Sequence, residues 1–345
     1  VAPPLLLSFP NWLGDSVLAT GLLASLGRLT PPPPVDVCGN AIALAVAAEH
    51  PAVRRRILFE RHGAHRRPGA FVGLARELGR EGYGAHVVLP STPSAALFAR
   101  LVGAPVRAGF AGPARSLFLT RRHRRGRRGS THLLAEYRAL LALVVPAAPA
   151  AEPEVHVPTA VRARARERVG PGEYVVLAPG ATFGPAKRWP AERFAALGRE
   201  LQARDRCRIV LVGGPGDREV GREVARALET PPLVPPPIDL VGETDLATLG
   251  AVLAGARLVV ANDSGPMHLA RAVGAPTVGI FGSTAPKWTA PRGGEVVTAD
   301  ERPGCAPCYR RTCSIAVQCL VRIPVGAVRA AADRALAESA RTTDS

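Results

Sequence analysis

Six short runs of Val, Ile and Leu, each stopped by Gly, Pro, Ser or Asn, constrain this 345-residue chain more than anything else in it. They are LLLSF (5–9), HVVLP (86–90), YVVLAPG (174–180), RIVLVGG (208–214), LVVAN (258–262) and TVGIFG (277–282). Stretches with helical spacing lie between them, at 15–28, 131–144, 190–204, 217–229, 245–254 and 264–273. A strand that is apolar on both faces must be covered on both faces. Intervening helices supply that cover and make the strands parallel, so the pattern predicts an α/β fold. VPAAPAAEPEVHVP (145–158) breaks the alternation and reads as a Pro- and Ala-rich linker. The length also suits two domains. The expected division is an α/β domain over 1–150, a second over 159–325, and a C-terminal helix over 326–345, with packing back on the first domain as one option for that helix. Ligands of open parallel sheets bind beyond the carboxyl ends of the strands. Two such sheets are therefore expected to face each other across a cleft.

Composition narrows the class. Hydrophobic residues make up 47% and charged residues 21%, which suits a soluble globular protein. No apolar run reaches bilayer-spanning length. The start, VAPPLLLSFPNWLGD, reads as a first strand and not as a signal peptide. The formal charge of +16 favours anionic partners: nucleic acid, an anionic membrane surface or phosphorylated substrates. Of the 44 basic residues only Lys187 and Lys287 are lysines, so much of the charge reflects an arginine-biased composition. That bias makes each surviving lysine worth explaining.

Three strand ends in the second half suit phosphate. In RLVVANDSGPMHLA (257–270), a strand runs straight into Asp263-Ser264-Gly265 and a helix. The first amides of a helix have no internal partner, and with the helix dipole they attract an anion. Gly265 permits close approach, Ser264 offers a hydroxyl, and His268 lies one turn on. Simple N-capping by Asp263 or Ser264 explains the same residues. LAPGATFGPAKRWP (177–190) adds Thr182, Gly184 and Lys187 in a Gly-rich loop. VGGPGDREV (212–220) places Asp217 to accept from a ribose hydroxyl. Neither G-x-G-x-x-G nor G-x-x-x-x-G-K-[ST] occurs. In the first half, SFPNWLGDSVLAT leaves the first strand and puts Asp15 at a helix start, where a carboxylate favours the dipole or serves as a general base.

PNWLGDSVLAT, PGATFGPAKRWP, GGPGDRE and ANDSGPMHLARAVGAPTVGIFGST together resemble the family 9 glycosyltransferases, the ADP-heptose:lipopolysaccharide heptosyltransferases. The resemblance spans nearly the whole chain, including CAPCYRRTCSIAVQCL (305–320). It implies a GT-B fold: two Rossmann-like domains, with the sugar nucleotide held mainly by the second. It implies an inverting transfer of heptose from ADP-heptose to the inner core of lipopolysaccharide. Asp15 then falls on the family's base and Lys187 on its phosphate-binding lysine. Asp217 falls near the donor ribose. Asp263, Ser264, Gly265, Met267 and His268 fall on the diphosphate loop. Pro266 stands where the family has Leu and donates no amide. No D-x-D pair occurs, which fits a donor site needing no metal or other cofactor. The implied partners are ADP-heptose and an anionic glycolipid acceptor at the inner membrane surface. The implied location is the cytoplasm, or the periphery of that membrane, and a monomer is expected.

The run RRHRRGRR (121–128), with Arg115, suits either the acceptor's phosphates and carboxylates or a solvated basic loop. Cys305, Cys308, Cys313 and Cys319 suit a structural Zn²⁺, two disulfides or four free thiols; Cys38 and Cys207 read as core residues. Two other functions use the same features: another GT-B enzyme or epimerase taking a UDP-sugar, and a basic polyanion-binding protein. The basic stretches carry few aromatics for base stacking, so nucleic acid is not the expected partner.

Overall fold

The computed structural model describes residues 3–229, 232 and 235–343. The chain divides into two compact units, Val1–His156 and Val157–Ser345. The division falls inside the Pro- and Ala-rich stretch.

The first unit is built on six parallel strands: β1 (Leu5–Ser8), β2 (Val35–Gly39), β3 (Val53–Leu58), β4 (Ala85–Val88), β5 (Val106–Phe110) and β6 (Arg121–His123). Their order is β3-β2-β1-β4-β5-β6. The central β1 is buried throughout, as its unbroken Leu run requires. Both edge strands are arginine-rich, which discourages further pairing at the edge. Arg54 on β3 bridges inward to the buried Asp36 of β2 at 2.7 and 2.8 Å, and Tyr83 donates to the same carboxylate at 2.6 Å.

The second unit repeats the plan with β7 (Tyr174–Ala178), β8 (Arg208–Leu211), β9 (Ile238–Asp239), β10 (Leu258–Asn262), β11 (Thr277–Ile280) and β12 (Glu295–Val297). All six are parallel, in the order β12-β11-β10-β7-β8-β9. Counted from the first strand of each unit, both sheets follow the Rossmann order 3-2-1-4-5-6. The order reverses between β1 and β4 in the first sheet and between β7 and β10 in the second. Those switch points are where such sheets bind ligands.

Helices fall close to the expected spans, for example Leu13–Gly27, Ala191–Asp205 and Gly265–Ala272. The C-terminal helix, Val325–Thr343, packs on β10, β11, β12 and helix Ala191–Asp205. It buries Val328, Ala331, Ala332 and Ala335 in the second unit's core. Its small-residue stripe is thus a layer of the second Rossmann unit. Among the described residues no helix is long and apolar enough to cross a membrane.

Candidate active site

The site of the second unit forms where β7 and β10 end side by side. After β7 the chain enters a loop that three contacts hold in place. Asn262, the last residue of β10 and fully buried, accepts from Trp189 N at 3.0 Å and donates to Pro179 O at 2.7 Å. Asp217 accepts from Ala181 N at 3.1 Å and Arg188 at 3.2 Å with one oxygen, and from Gly214 N at 3.1 Å with the other. Gly180 makes that approach possible, because a Cβ there would lie 2.2 Å from the Asp217 carboxyl carbon. Arg311 O accepts from Ala186 N at 3.1 Å and sits where a Cβ on Gly184 would lie at 2.4 Å.

Anchored in this way, the loop brings Lys187 to Asp263. Its ammonium donates to Asp263 Oδ2 at 2.5 Å and to the Asp263 main-chain oxygen at 3.2 Å. Thr284 donates to the same carboxylate oxygen at 2.6 Å, and Thr289 to the other at 3.3 Å. His268 Nε2 lies 4.0 Å from Oδ1. Asp263 is only 4% exposed. Burial pushes its carboxyl up, but the Lys187 and His268 charges and the bonds from Lys187 and Thr284 pull it below the ordinary carboxylate value.

Ser264 is the N-cap residue of helix Gly265–Ala272 in an extended conformation, yet it makes no capping bond to the first turn. Its Oγ is buried without a hydrogen-bond partner among the described residues. Asp263 is occupied with Lys187, so the capping alternative has no bond to support it. A hydroxyl stranded in this way costs about 1–3 kcal/mol, and it lies beside a lysine at a helix N-terminus. Met267 is fully buried, its sulfur packed toward Gly279. Thr182 is exposed on the anchored loop. Asp217 is 6% exposed and turned inward, so its visible work is to brace two loops.

In the first unit, Asp15 stands in the first turn of helix Leu13–Gly27, directly after β1 and next to that sheet's switch point. Its charge acts on Arg125 and on the buried Tyr137. Arg125 lies over the Phe110 ring, its Cζ 3.9 Å from the centroid, and burial lowers its pKa. Burial, with Asp15 adding to it, pushes the Tyr137 hydroxyl well up. The basic run is therefore not a uniform acceptor face. Arg115 spends its guanidinium on Phe110 O, Ser91 O and Ala111 O, and Arg121 binds Leu143 O. Turn carbonyls need donors, and these two arginines supply them. Arg122, Arg124, Arg127 and Arg128 remain exposed.

Cys38 and Cys207 are buried core residues, and no disulfide forms among the six cysteines. Cys305 is exposed and Cys319 buried, with Cys308 and Cys313 between. Among the described residues, the three-ligand set whose donor atoms gather within 4.8 Å is His50, Glu154 and His156, not the cysteines. Ala52 N donates to His50 Nδ1 at 3.2 Å, so the neutral ring carries its proton on Nε2, facing Glu154 at 3.3 Å. In that tautomer Nε2–H faces Glu154, and neither ring nitrogen presents a free lone pair to a metal.

Sequence reasoning had not singled out Thr284, Thr289, Asn262, Arg311 or Tyr137, and it marked Arg125 only as part of the basic run 121–128. Thr284 follows β11 at the same sheet edge as the other loops, so the strand-end logic reaches it. Arg311 carried no such signal.

Residues 71–318 match the model of glycosyltransferase family 9 (heptosyltransferase). The chain is 31% identical over 299 residues to lipooligosaccharide heptosyltransferase 2 of Haemophilus influenzae, covering 82% of this chain and 84% of that protein. It is 29% identical to lipopolysaccharide heptosyltransferase 2 of Escherichia coli, covering 82% and 83%. The structure of E. coli ADP-heptose lps heptosyltransferase II superposes with a TM-score of 0.80 at 26% identity, over 98% of this chain and 99% of that one. A family 9 glycosyltransferase from Veillonella parvula shares the fold at 24% identity, with a TM-score of 0.84. Two Rossmann-like units in one chain, a GT-B architecture, and a family match across most of its length lead to one assignment: the chain belongs to glycosyltransferase family 9, the heptosyltransferases.

Proposed function

We propose that this heptosyltransferase takes its sugar from ADP-heptose and attaches it to the inner core of lipopolysaccharide, inverting the anomeric centre. The acceptor hydroxyl oxygen forms the new bond to the anomeric carbon and gives its proton to Asp15. The bond from that carbon to the donor phosphate breaks, and its electron pair leaves with ADP. Lys187, the Ser264 hydroxyl and the amides opening helix Gly265–Ala272 take up the charge that develops on the diphosphate. Asp263 holds the ammonium in place, with Thr284 and Thr289 fixing the carboxylate. Thr182 and His268 line the same diphosphate site. Asp217 positions the loops around the nucleotide, with its proposed ribose contact as an alternative use of that carboxylate. No added cofactor enters this scheme, and the enzyme works at the cytoplasmic face of the inner membrane.

One observation carries the reading: a lysine delivered to a helix N-terminus beside a buried serine hydroxyl that has no hydrogen-bond partner among the described residues. A transfer assay with ADP-heptose and truncated lipopolysaccharide, run beside UDP-sugars, tests donor and acceptor together. Transfer from ADP-heptose alone is expected. Asp15→Asn should lower kcat by about a hundredfold or more, the size of a lost general base. Full activity in that variant removes Asp15 from the mechanism.

A further inference from the structure

Among the described residues, seven large hydrophobic side chains are exposed, and six of them lie in the first unit. Three of them lie on two neighbouring elements. Leu97 and Leu101 stand one turn apart on the outer side of helix Pro93–Val102, at 36% and 39% exposure. Leu117, at 84%, ends the short 3₁₀ turn Arg115–Leu117, which packs against that helix. The junction is fixed. Phe118 packs on the buried Ala95, Ala96 and Ala99 of the helix, and Arg107 donates to both Ala104 O at 2.6 Å and Phe118 O at 2.9 Å. Leu117 is thus held outward on a turn packed against the helix that carries Leu97 and Leu101.

The same surface carries uncompensated charge. Arg100 is exposed between Leu97 and Leu101, and its charge helps burial to lower the pKa of Arg107. Neither arginine has an ion-pair partner among the described residues. The whole unit holds 19 arginines against nine carboxylates. Three partly exposed leucines expose far less than the roughly 800 Å² per partner of a stable protein interface. They suit a shallow, reversible insertion at a lipid headgroup boundary, where apolar side chains and arginines act together.

We propose that Leu97, Leu101 and Leu117, with Arg100, dock this unit on a bilayer surface containing anionic phospholipid. The assignment builds on the reading that the acceptor is membrane-anchored, and it names the surface that meets the membrane. Docking would hold the enzyme where a lipid-linked acceptor resides, raising the acceptor's local concentration without adding a contact to the reacting atoms.

Co-sedimentation of the full chain with vesicles tests it, using phosphatidylcholine alone or mixed with phosphatidylglycerol. Wild type should sediment with the mixed vesicles, less so at high salt, and weakly with phosphatidylcholine alone. Leu117→Ser should lower partitioning several-fold, and the triple variant Leu97→Ser/Leu101→Ser/Leu117→Ser by about tenfold or more. Arg100→Ser should cost about fivefold on the mixed vesicles and nothing on the neutral ones. ADP affinity, titrated on the same samples, should stay at the wild-type value in every variant. Absence of wild-type binding to mixed vesicles overturns the proposal, and so do variants that partition as wild type does. Leu117→Ser removes a side chain that is almost wholly outside the core, so the test survives if the triple variant misfolds. Loss of ADP binding in wild type would defeat the donor-site reading and leave the vesicle result to decide the docking surface separately.

Discussion

Asp263 is the residue on which the proposed donor site turns, because it is buried, ionised and paired with a rare lysine. Removing one partner of such a pair leaves an uncompensated charge, at about 3–5 kcal/mol. Asp263→Asn should therefore destabilise the second unit by about 3 kcal/mol in denaturant unfolding and weaken ADP binding as well. The carboxyl's folded pKa lies below its ordinary value of 3.8. Its contribution is present above that value and is lost as pH falls through the lower folded one. The first unit has a histidine that acts in a different pH range. His86, fully buried and bonded to Ser8 at 2.8 Å, is pushed down to about 3, mainly by burial. The unfolded chain takes up that proton near pH 6.5 and the folded chain does not. Stability should fall by up to about 1.4 kcal/mol per pH unit between pH 6 and 3. His86→Gln should flatten that slope in acid-titrated melts, and an unchanged slope would assign it elsewhere.

At the scale of elements, one strand end locks the neighbouring loop. Asn262 joins β10 to both ends of the loop carrying Lys187. Asn262→Ala strands a buried amide N–H and a carbonyl, so ADP affinity should drop about tenfold with a loss of about 2 kcal/mol in stability. Gly184→Ala should weaken ADP binding without a comparable loss of stability, because the clash with Arg311 O displaces the loop rather than the core. Calorimetry and melting curves on the same samples separate the two effects. The paired loops explain how far the sequence could be read. Strands such as β7 and β10 are apolar on both faces, and helix Gly265–Ala272 follows its strand at once, so period and punctuation located them. β3 reads VRRRIL and β6 RRH, and their edge positions let charge mask the strand pattern. Lys187 and the 263–268 loop were legible because a scarce residue type and a strand-to-helix join mark them. Thr284, Arg311 and Tyr137 were not, since each gains its place from a tertiary contact with no local signature. The outward role expected of Arg115 and the inward one it has differ only in which carbonyls folding brings near.

At the scale of the molecule, two sheets with the same strand order give two switch points, one beside Asp15 and one beside Lys187 and the start of helix Gly265–Ala272. The C-terminal helix belongs to the second unit's core, and Val328→Asp should abolish that unit's cooperative melting by burying a charge. Titration of ADP into wild type and Lys187→Ala, followed calorimetrically, tests the central claim most directly. The account predicts at least about a tenfold loss of affinity in the variant, with the fold retained by melting curve. Equal affinity in the two proteins would show that the nucleotide's phosphates do not sit where Lys187, Asp263 and Ser264 meet.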